Sequence, residues 1–324
     1  MNLSAQAQSS LRAVITGTEH GELVSGACVS VGADGCAAVS DERGVYLARG
    51  IPTGQAIVTT TAIGQAPRVV SVSKQINEFI YDIGAEGVLV ARDLTSIYPA
   101  AITKLPSIGY HRALSAEGII SMRPTLFLND GNFGPAAVTE QLRTVGIPML
   151  TLLPGNTVDS AQELMLRLGE QFGRAAAANS VVAAWRKGMQ ALFADTAKWA
   201  HGKRPRVLIL HFGQIGNSYL AVKGGGPADQ MLHWAGAENA IDSIGGMSRV
   251  TPELIARAAP DVILATEVGF DRFGSAAKFK EMPGVALTPA GRNNRIYRIT
   301  EQELLYFSPR TPDVTRKLAG LLHH

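Results

Sequence analysis

The sequence predicts an α/β protein of two similar lobes, joined by a long helical segment and preceded by a small all-β module. Three observations predict this. Residues 11–66 hold short apolar runs separated by turn signals, with no helical period between them. Strand-like and helix-like patterns alternate from residue 67 to about 157, and again from Arg206 to the C-terminus. Residues 158–200 between them are rich in Ala and Leu and contain no proline.

Composition narrows the function classes. The chain has 324 residues, 46% apolar and 18% charged, with a formal net charge of +3. This length suits two or more domains. The longest uncharged apolar runs, such as Val207–Leu210 and Val262–Ala265, are strand-sized, too short for a membrane span. Basic residues cluster only at Lys203-Arg204-Pro205-Arg206, which reads as a solvated turn before a strand, so no nucleic-acid footprint is present. The two cysteines, Cys28 and Cys36, lack the second pair that a zinc site needs. A disulfide across a hairpin and two unpaired core residues both fit them. Residues 1–20 lack a basic start followed by an apolar stretch, so no secretory leader is read there.

In the N-terminal module, Leu11–Ile15, Ala27–Val31 and Ala56–Thr60 read as strands. Turns are expected at Gly21-Glu22, Gly32–Gly35, Asp41–Gly44 and Ile51–Gly54, and the close strand spacing suggests a sandwich. Arg68–Val72 is then a β-rich run. Ile76, Phe79, Ile80 and Ile83 have helical spacing and Gly84 ends the helix; a strand restarts at Val88–Val90. Thr139–Val145, Gly146 and Ile147–Leu150 read as helix, stop and strand. Residues 158–178 and 180–200 read as one or two long helices. Arg206–Leu210 opens the second lobe.

The lobes share a unit. Ser115-Ala116-Glu117 leads to Pro124 and Thr125–Leu128, and Thr251-Pro252-Glu253 leads to Pro260 and Asp261–Leu264. Glutamate to proline is seven residues in both, and glutamate to strand leucine eleven in both. Each reads as a Ser/Thr-capped short helix with an acid in its first turn, then a proline, then a buried strand. A cleft between two such lobes is the default place for a ligand.

Residues 67–324, about four fifths of the chain, resemble the haem-binding proteins of bacterial ABC importers. The segments that carry the resemblance include Arg68–Ser71, Leu105–Arg112, Leu114–Gly118, Gly226–Asp229, Ala259–Leu264, Pro283–Ala290 and Pro309–Pro312. The most specific is Gly109-Tyr110-His111-Arg112 followed by Leu114-Ser115-Ala116-Glu117-Gly118, which separates haem members from siderophore and cobalamin members. The resemblance implies two Rossmann-like lobes on a rigid backbone helix, with domains at 67–157, 158–202 and 203–324 after the module at 1–66. It implies a monomeric periplasmic carrier, not an enzyme. Haem would be its transported ligand, an ABC permease with its ATPase its partner, and an outer-membrane haem receptor system its supply. Residues 11–66 separately resemble the carboxypeptidase-regulatory-like β-sandwich, a module that often precedes outer-membrane receptors. Gly26–Val31, Ser40–Tyr46 and Gly50–Gly54 carry that second resemblance.

Carried over residue by residue, Tyr110 is the expected axial ligand of ferric haem. A phenolate is a hard anionic donor suited to Fe(III). A free phenol ionises only near pH ~10, so a cation must assist, and Arg112 could supply it or pair with a propionate. In an extended segment the His111 side chain would point away from Tyr110. His211, at the end of the strand Arg206–Leu210, is expected either to touch ligand, as a second iron ligand, or to be a polar strand-end residue. Arg272 either reaches the ligand or is solvated. Glu117 and Glu253, at matching positions in the two lobes, are the expected contacts to the permease, a role compatible with first-turn helix stabilisation. A ferric siderophore or a corrinoid on the same fold is the alternative ligand, and an interaction module without transport the alternative role. Gly224-Gly225-Gly226-Pro227 lacks the Lys-Ser/Thr of a phosphate loop, and no Gly-x-Ser-x-Gly elbow occurs.

Overall fold

The computed structural model describes residues 67–197, 204–213 and 217–323 in full, and the backbone of five strands before them. Those strands are β1 (Gln8–Val14), β2 (Cys28–Val31), β3 (Cys36–Val39), β4 (Val45–Pro52) and β5 (Val58–Thr61). They form two antiparallel sheets, β1–β4 and β3–β2–β5. Of the turn expected at Ile51–Gly54, the first two residues belong to β4, which continues through Pro52; the rest of it, and the turns expected at 21–22, 32–35 and 41–44, lie outside the described residues. In the β2–β3 register Cys28 faces Val39 and Ser30 faces Cys36. Whether the two cysteines are bonded lies outside the described residues.

Chain contacts divide the protein into two compact units, Met1–Pro154 with Gln162–Val182, and Gly155–Ala161 with Ala183–His324. The first unit contains β6 (Val69–Ser71), α1 (Lys74–Asp82), β7 (Leu89–Arg92), α2 (Ala116–Ser121), β8 (Leu126–Asn129), α3 (Ala137–Thr144) and β9 (Met149–Thr151). The strands run parallel in the order β7–β6–β8–β9. A strand covered on both faces reads as a continuous apolar run, and Leu126–Leu128 and Val69–Val70 are buried accordingly. Val70, Phe127, Ile119, Val138 and Leu142 meet in one core.

Two helices follow, α4 (Val158–Gln171) and α5 (Ala175–Thr196). The break falls at Gly173, with φ +67°, rather than near residue 179. The left-handed conformation that ends α4 is open to glycine without steric cost, whereas Asn179 and Ser180 are accommodated inside α5, bonding back to the carbonyls of Ala175 and Ala176.

The second unit contains β10 (Arg206–Gly213), β11 (Ser218–Val222), α6 (Pro227–Trp234), β12 (Glu238–Asn239), β13 (Met247–Arg249), α7 (Pro252–Ala258), β14 (Val262–Thr266), α8 (Glu267–Asp271), α9 (Ala276–Phe279), α10 (Pro289–Arg292), β15 (Ile296–Ile299), α11 (Glu301–Leu304) and α12 (Thr311–Leu322). Its sheet order is β13–β11–β10–β14–β15, with β12 also on β10. β10, β14 and β15 are parallel, and β11 and β13 add an antiparallel edge. Leu208, Leu210, Ile255, Ile263 and Phe279 share the core.

The repeated unit is built alike in both. Ser115 Oγ accepts from the Gly118 amide and Thr251 Oγ1 from the Leu254 amide, the N-cap bond that satisfies an orphan donor. In each unit the strand after the proline lies beside the first strand of the same lobe, β8 by β6 and β14 by β10. The residue before each proline is left-handed and not glycine: Arg123 at φ 47° and Ala259 at φ 43°. Left-handed backbone strains any side chain, most of all a β-branched one. Ala259→Val is therefore expected to destabilise by roughly 1–3 kcal/mol, while Ala259→Gly leaves the melting temperature unchanged or higher. Ala259 is exposed, so thermal unfolding of the two variants reads backbone strain with no packing contribution.

Candidate functional site

In the first unit the chain beyond β7 builds the site. Segment 106–109 runs beside 92–94: the Arg92 amide donates to Pro106, Ile108 to Arg92, and Leu94 to Gly109, at 3.0, 2.9 and 2.7 Å. Tyr110 is thereby delivered to the carboxyl end of the parallel strands, where open α/β sheets bind ligands. Gly109 holds φ +96° at the bend. A turn follows, closed by the Ala113 amide on the Tyr110 carbonyl at 2.8 Å. Tyr110 is half-buried. Its hydroxyl has no hydrogen-bond partner among the described residues. Arg112 is exposed on the turn and likewise makes no side-chain hydrogen bond or ion pair among them.

His111 does not point away from Tyr110. The segment is a turn rather than a strand, so alternation fails, and the two rings lie 4.5 Å apart at 52°. Asp93, 1% exposed, lies beside the imidazole, Nδ1 to Oδ2 3.5 Å. Burial by itself would raise the Asp93 pKa. Hydrogen bonds from His111, Ser96 and Thr95 outweigh it and hold the carboxyl below its ordinary value. The same 93–98 loop leaves Leu94, Ile97 and Tyr98 exposed at 50%, 45% and 36%. Three large apolar side chains on a loop pinned to Gly109 and His111 offer a flat apolar ligand a surface to cover.

In the second unit β10 extends through Gly213, so His211 lies within the strand, opposite Leu220. It is still near the carboxyl end of the parallel strands. Its Nδ1 is 3.7 Å from Glu301 Oε2, with both side chains mostly buried. Glu301 opens α11, and its amide donates to Glu267 Oε2 at 2.6 Å. Arg272 follows α8 and lies over the Phe212 ring, 4.4 Å from its centroid. A cation on an aromatic face is stabilised while staying accessible. The Tyr219 hydroxyl donates to the Gly269 carbonyl at 2.6 Å. Burial raises the Tyr219 pKa against the opposing pull of Arg272. The structure thus brings Tyr110 together with Asp93 and His111 in one unit, and His211 and Arg272 to the same end of the sheet in the other.

Glu117 and Glu253 are both exposed in the first turns of α2 and α7. The Glu253 carboxyl is held below its ordinary value by its own backbone amide and the Thr251 hydroxyl. Gly224–Gly226 is a turn into α6 with Pro227 at its first position. Among the described residues no group of three or more His, Cys, Asp or Glu side chains is arranged to hold a metal ion. No described helix is long and apolar enough to cross a membrane.

Asp93, Thr95 and Ser96 were not singled out by the sequence. The strand read at Val88–Val90 extends to Arg92 in the structure, which puts Asp93 directly at its carboxyl end, where sheets place polar contacts. Glu301 stands likewise two residues beyond the end of β15 at Ile299.

Comparison with known proteins places the fold in a family. The profile of the periplasmic binding protein family matches residues 69–303. The periplasmic haem-binding protein RhuT from Roseiflexus sp. RS-1, in its apo form, is 30% identical, with a TM-score of 0.72 over 80% of this chain and 98% of that one. The periplasmic haem-binding protein BhuT, in complex with two haems, is also 30% identical, with a TM-score of 0.70 over 79% and 97%. A vitamin B12-binding protein of Vibrio campbellii is 24% identical over 241 residues, covering 74% of this chain and 82% of its own. Two α/β units and a family match that spans both place the chain in the periplasmic binding protein family.

Proposed function

We propose that the chain is the substrate-binding protein of an ABC importer and that its ligand is haem, carried through the periplasm to a permease with its ATPase. In this reading the chain catalyses no reaction; it captures and releases. Haem would arrive from an outer-membrane receptor system, and the carrier acts as a monomer.

The observation that carries the reading is Tyr110. Its phenol sits at the carboxyl end of the first unit's sheet, half-buried, with its oxygen unengaged among the described residues. It lies beside a loop that exposes Leu94, Ile97 and Tyr98. An anionic oxygen donor with an apolar surround suits ferric porphyrin, whose metal is hard and whose ring is flat and apolar. Arg112 is exposed and uncommitted, so it is available to a propionate or to the phenolate. From the second unit, His211 is proposed as a further ligand and Arg272 as a further cation. Two structural relatives whose names state haem binding, each 30% identical, support the choice.

The B12-binding relative favours a corrinoid as the second reading. Parallel titrations of the purified chain with hemin and with cyanocobalamin separate them. The expected result is a shifted, saturable Soret band with hemin and no saturable binding of cyanocobalamin. The reverse pattern replaces haem with a corrinoid.

A further inference from the structure

We propose that Asp93 is a positioning residue for Tyr110, acting through the His111 imidazole. The inference rests on the reading of Tyr110 as an iron ligand and deepens it.

Asp93 follows β7 directly, at the end of the sheet where Tyr110 stands. A buried carboxylate is costly unless its oxygens are satisfied, and these are. Ser96 Oγ donates to Oδ1 at 2.5 Å, and the Thr95 amide donates to Oδ2 at 2.9 Å. The Thr95 hydroxyl also donates to Oδ2. With its one proton spent on Asp93, that hydroxyl can only accept from His111, whose Nδ1 is 3.4 Å away. The imidazole Nδ1–H therefore faces the pair formed by Thr95 Oγ1 and Asp93 Oδ2.

The network is anchored behind. Asn77, fully buried on α1, donates through Nδ2 to Ser96 Oγ at 2.9 Å and to the Ser71 carbonyl at 3.4 Å. The His111 carbonyl accepts from the Gly134 amide at 2.9 Å. A line of contacts thus runs from α1 and β6 through Ser96, Asp93 and His111 to the Tyr110 ring. A turn residue carrying an unengaged hydroxyl would otherwise sample several rotamers. A ring fixed at 4.5 Å and 52° removes that freedom on one side, and preorganisation of this kind converts into affinity.

The test is hemin binding by the full chain, read by Soret titration, by the phenolate-to-iron charge-transfer band and by ferric EPR. His111→Phe keeps an aromatic ring against Tyr110 but cannot bond to Asp93, and Asp93→Asn removes the charge while keeping the shape. Both are expected to bind hemin with affinity lowered roughly 3–10-fold, the scale of immobilising one side chain on binding, and with mixed rather than single ferric spectra. Tyr110→Phe is the control and is expected to lose the charge-transfer band altogether. If Asp93→Asn does not fold, judged by circular dichroism, His111→Phe decides alone. Wild-type affinity and a single wild-type spectrum in His111→Phe, with the band lost in Tyr110→Phe, overturn the positioning role and leave the ligand in place. An unchanged spectrum in Tyr110→Phe overturns both.

Discussion

Tyr110→Ala is expected to weaken hemin binding on the order of 100-fold, equivalent to about 2.7 kcal/mol, and to abolish the Soret shift seen with the unmodified chain. The physical reason is the identity of the donor. Removing the phenol removes the only phenolic oxygen presented at the carboxyl end of β7 that has no partner among the described residues, and a neighbouring apolar surface cannot coordinate iron. Van der Waals contact with Leu94, Ile97 and Tyr98 would survive, so residual weak binding without the ligand-to-metal transition is expected. Stability of the free protein should change little. Tyr110 is only half-buried, and surface substitutions away from buried networks usually stay within about 0.5 kcal/mol. Thermal unfolding of the apo variant distinguishes a lost ligand from a damaged fold. Undiminished affinity with an intact spectrum would remove Tyr110 from the site.

The second large effect is on delivery rather than capture. Glu117→Ala combined with Glu253→Ala is expected to leave hemin affinity unchanged and to cut importer-dependent hemin uptake by at least roughly tenfold, the equivalent of about 1.4 kcal/mol of docking energy. Both carboxylates are exposed in the first turn of a short helix, Ser115-capped in one unit and Thr251-capped in the other. Neither is committed to an ion pair among the described residues. Exposed charges of this kind govern encounter and register with a partner more than the stability of their own chain. Reversal to lysine at both positions should deepen the uptake defect through like-charge contact with cationic groups on the permease. Normal uptake by the double alanine variant in proteoliposomes would end the docking role, leaving first-turn helix stabilisation as the function of both residues. The measurement requires the hemin titration beside it, because a capture defect would mimic a delivery defect.

Particular elements explain how much was legible. The caps at Ser115 and Thr251 could be read because a capping bond spans three residues, and sequence spacing reports it directly. The stop after α3 is local in the same way. The break between α4 and α5 was misplaced, because Asn179 and Ser180 look like helix enders yet bond back to carbonyls inside α5, while Gly173 takes the left-handed turn. Strand alternation predicts an outward direction for His111. That rule lapses in a turn, and the ring came to lie against Tyr110 instead. His211 proved to be within β10, since the extra strand length is held by pairing to β11, which follows later in the chain.

From its own spacing and composition, the chain determined the α/β class, the repeated helix–proline–strand unit and the capped glutamates, while Tyr110 stands out only through the resemblance of its motif. Each is a property of neighbours within a few residues, where backbone geometry alone decides what meets what. The tertiary structure decided that Asp93 reaches His111, that Arg272 lies over Phe212 and that Glu301 stands beside His211. Those partners are separated by 18, 60 and 90 positions along the chain. Only the parallel pairing of strands, driven by burial of their apolar faces, carries such distant residues to a common sheet end.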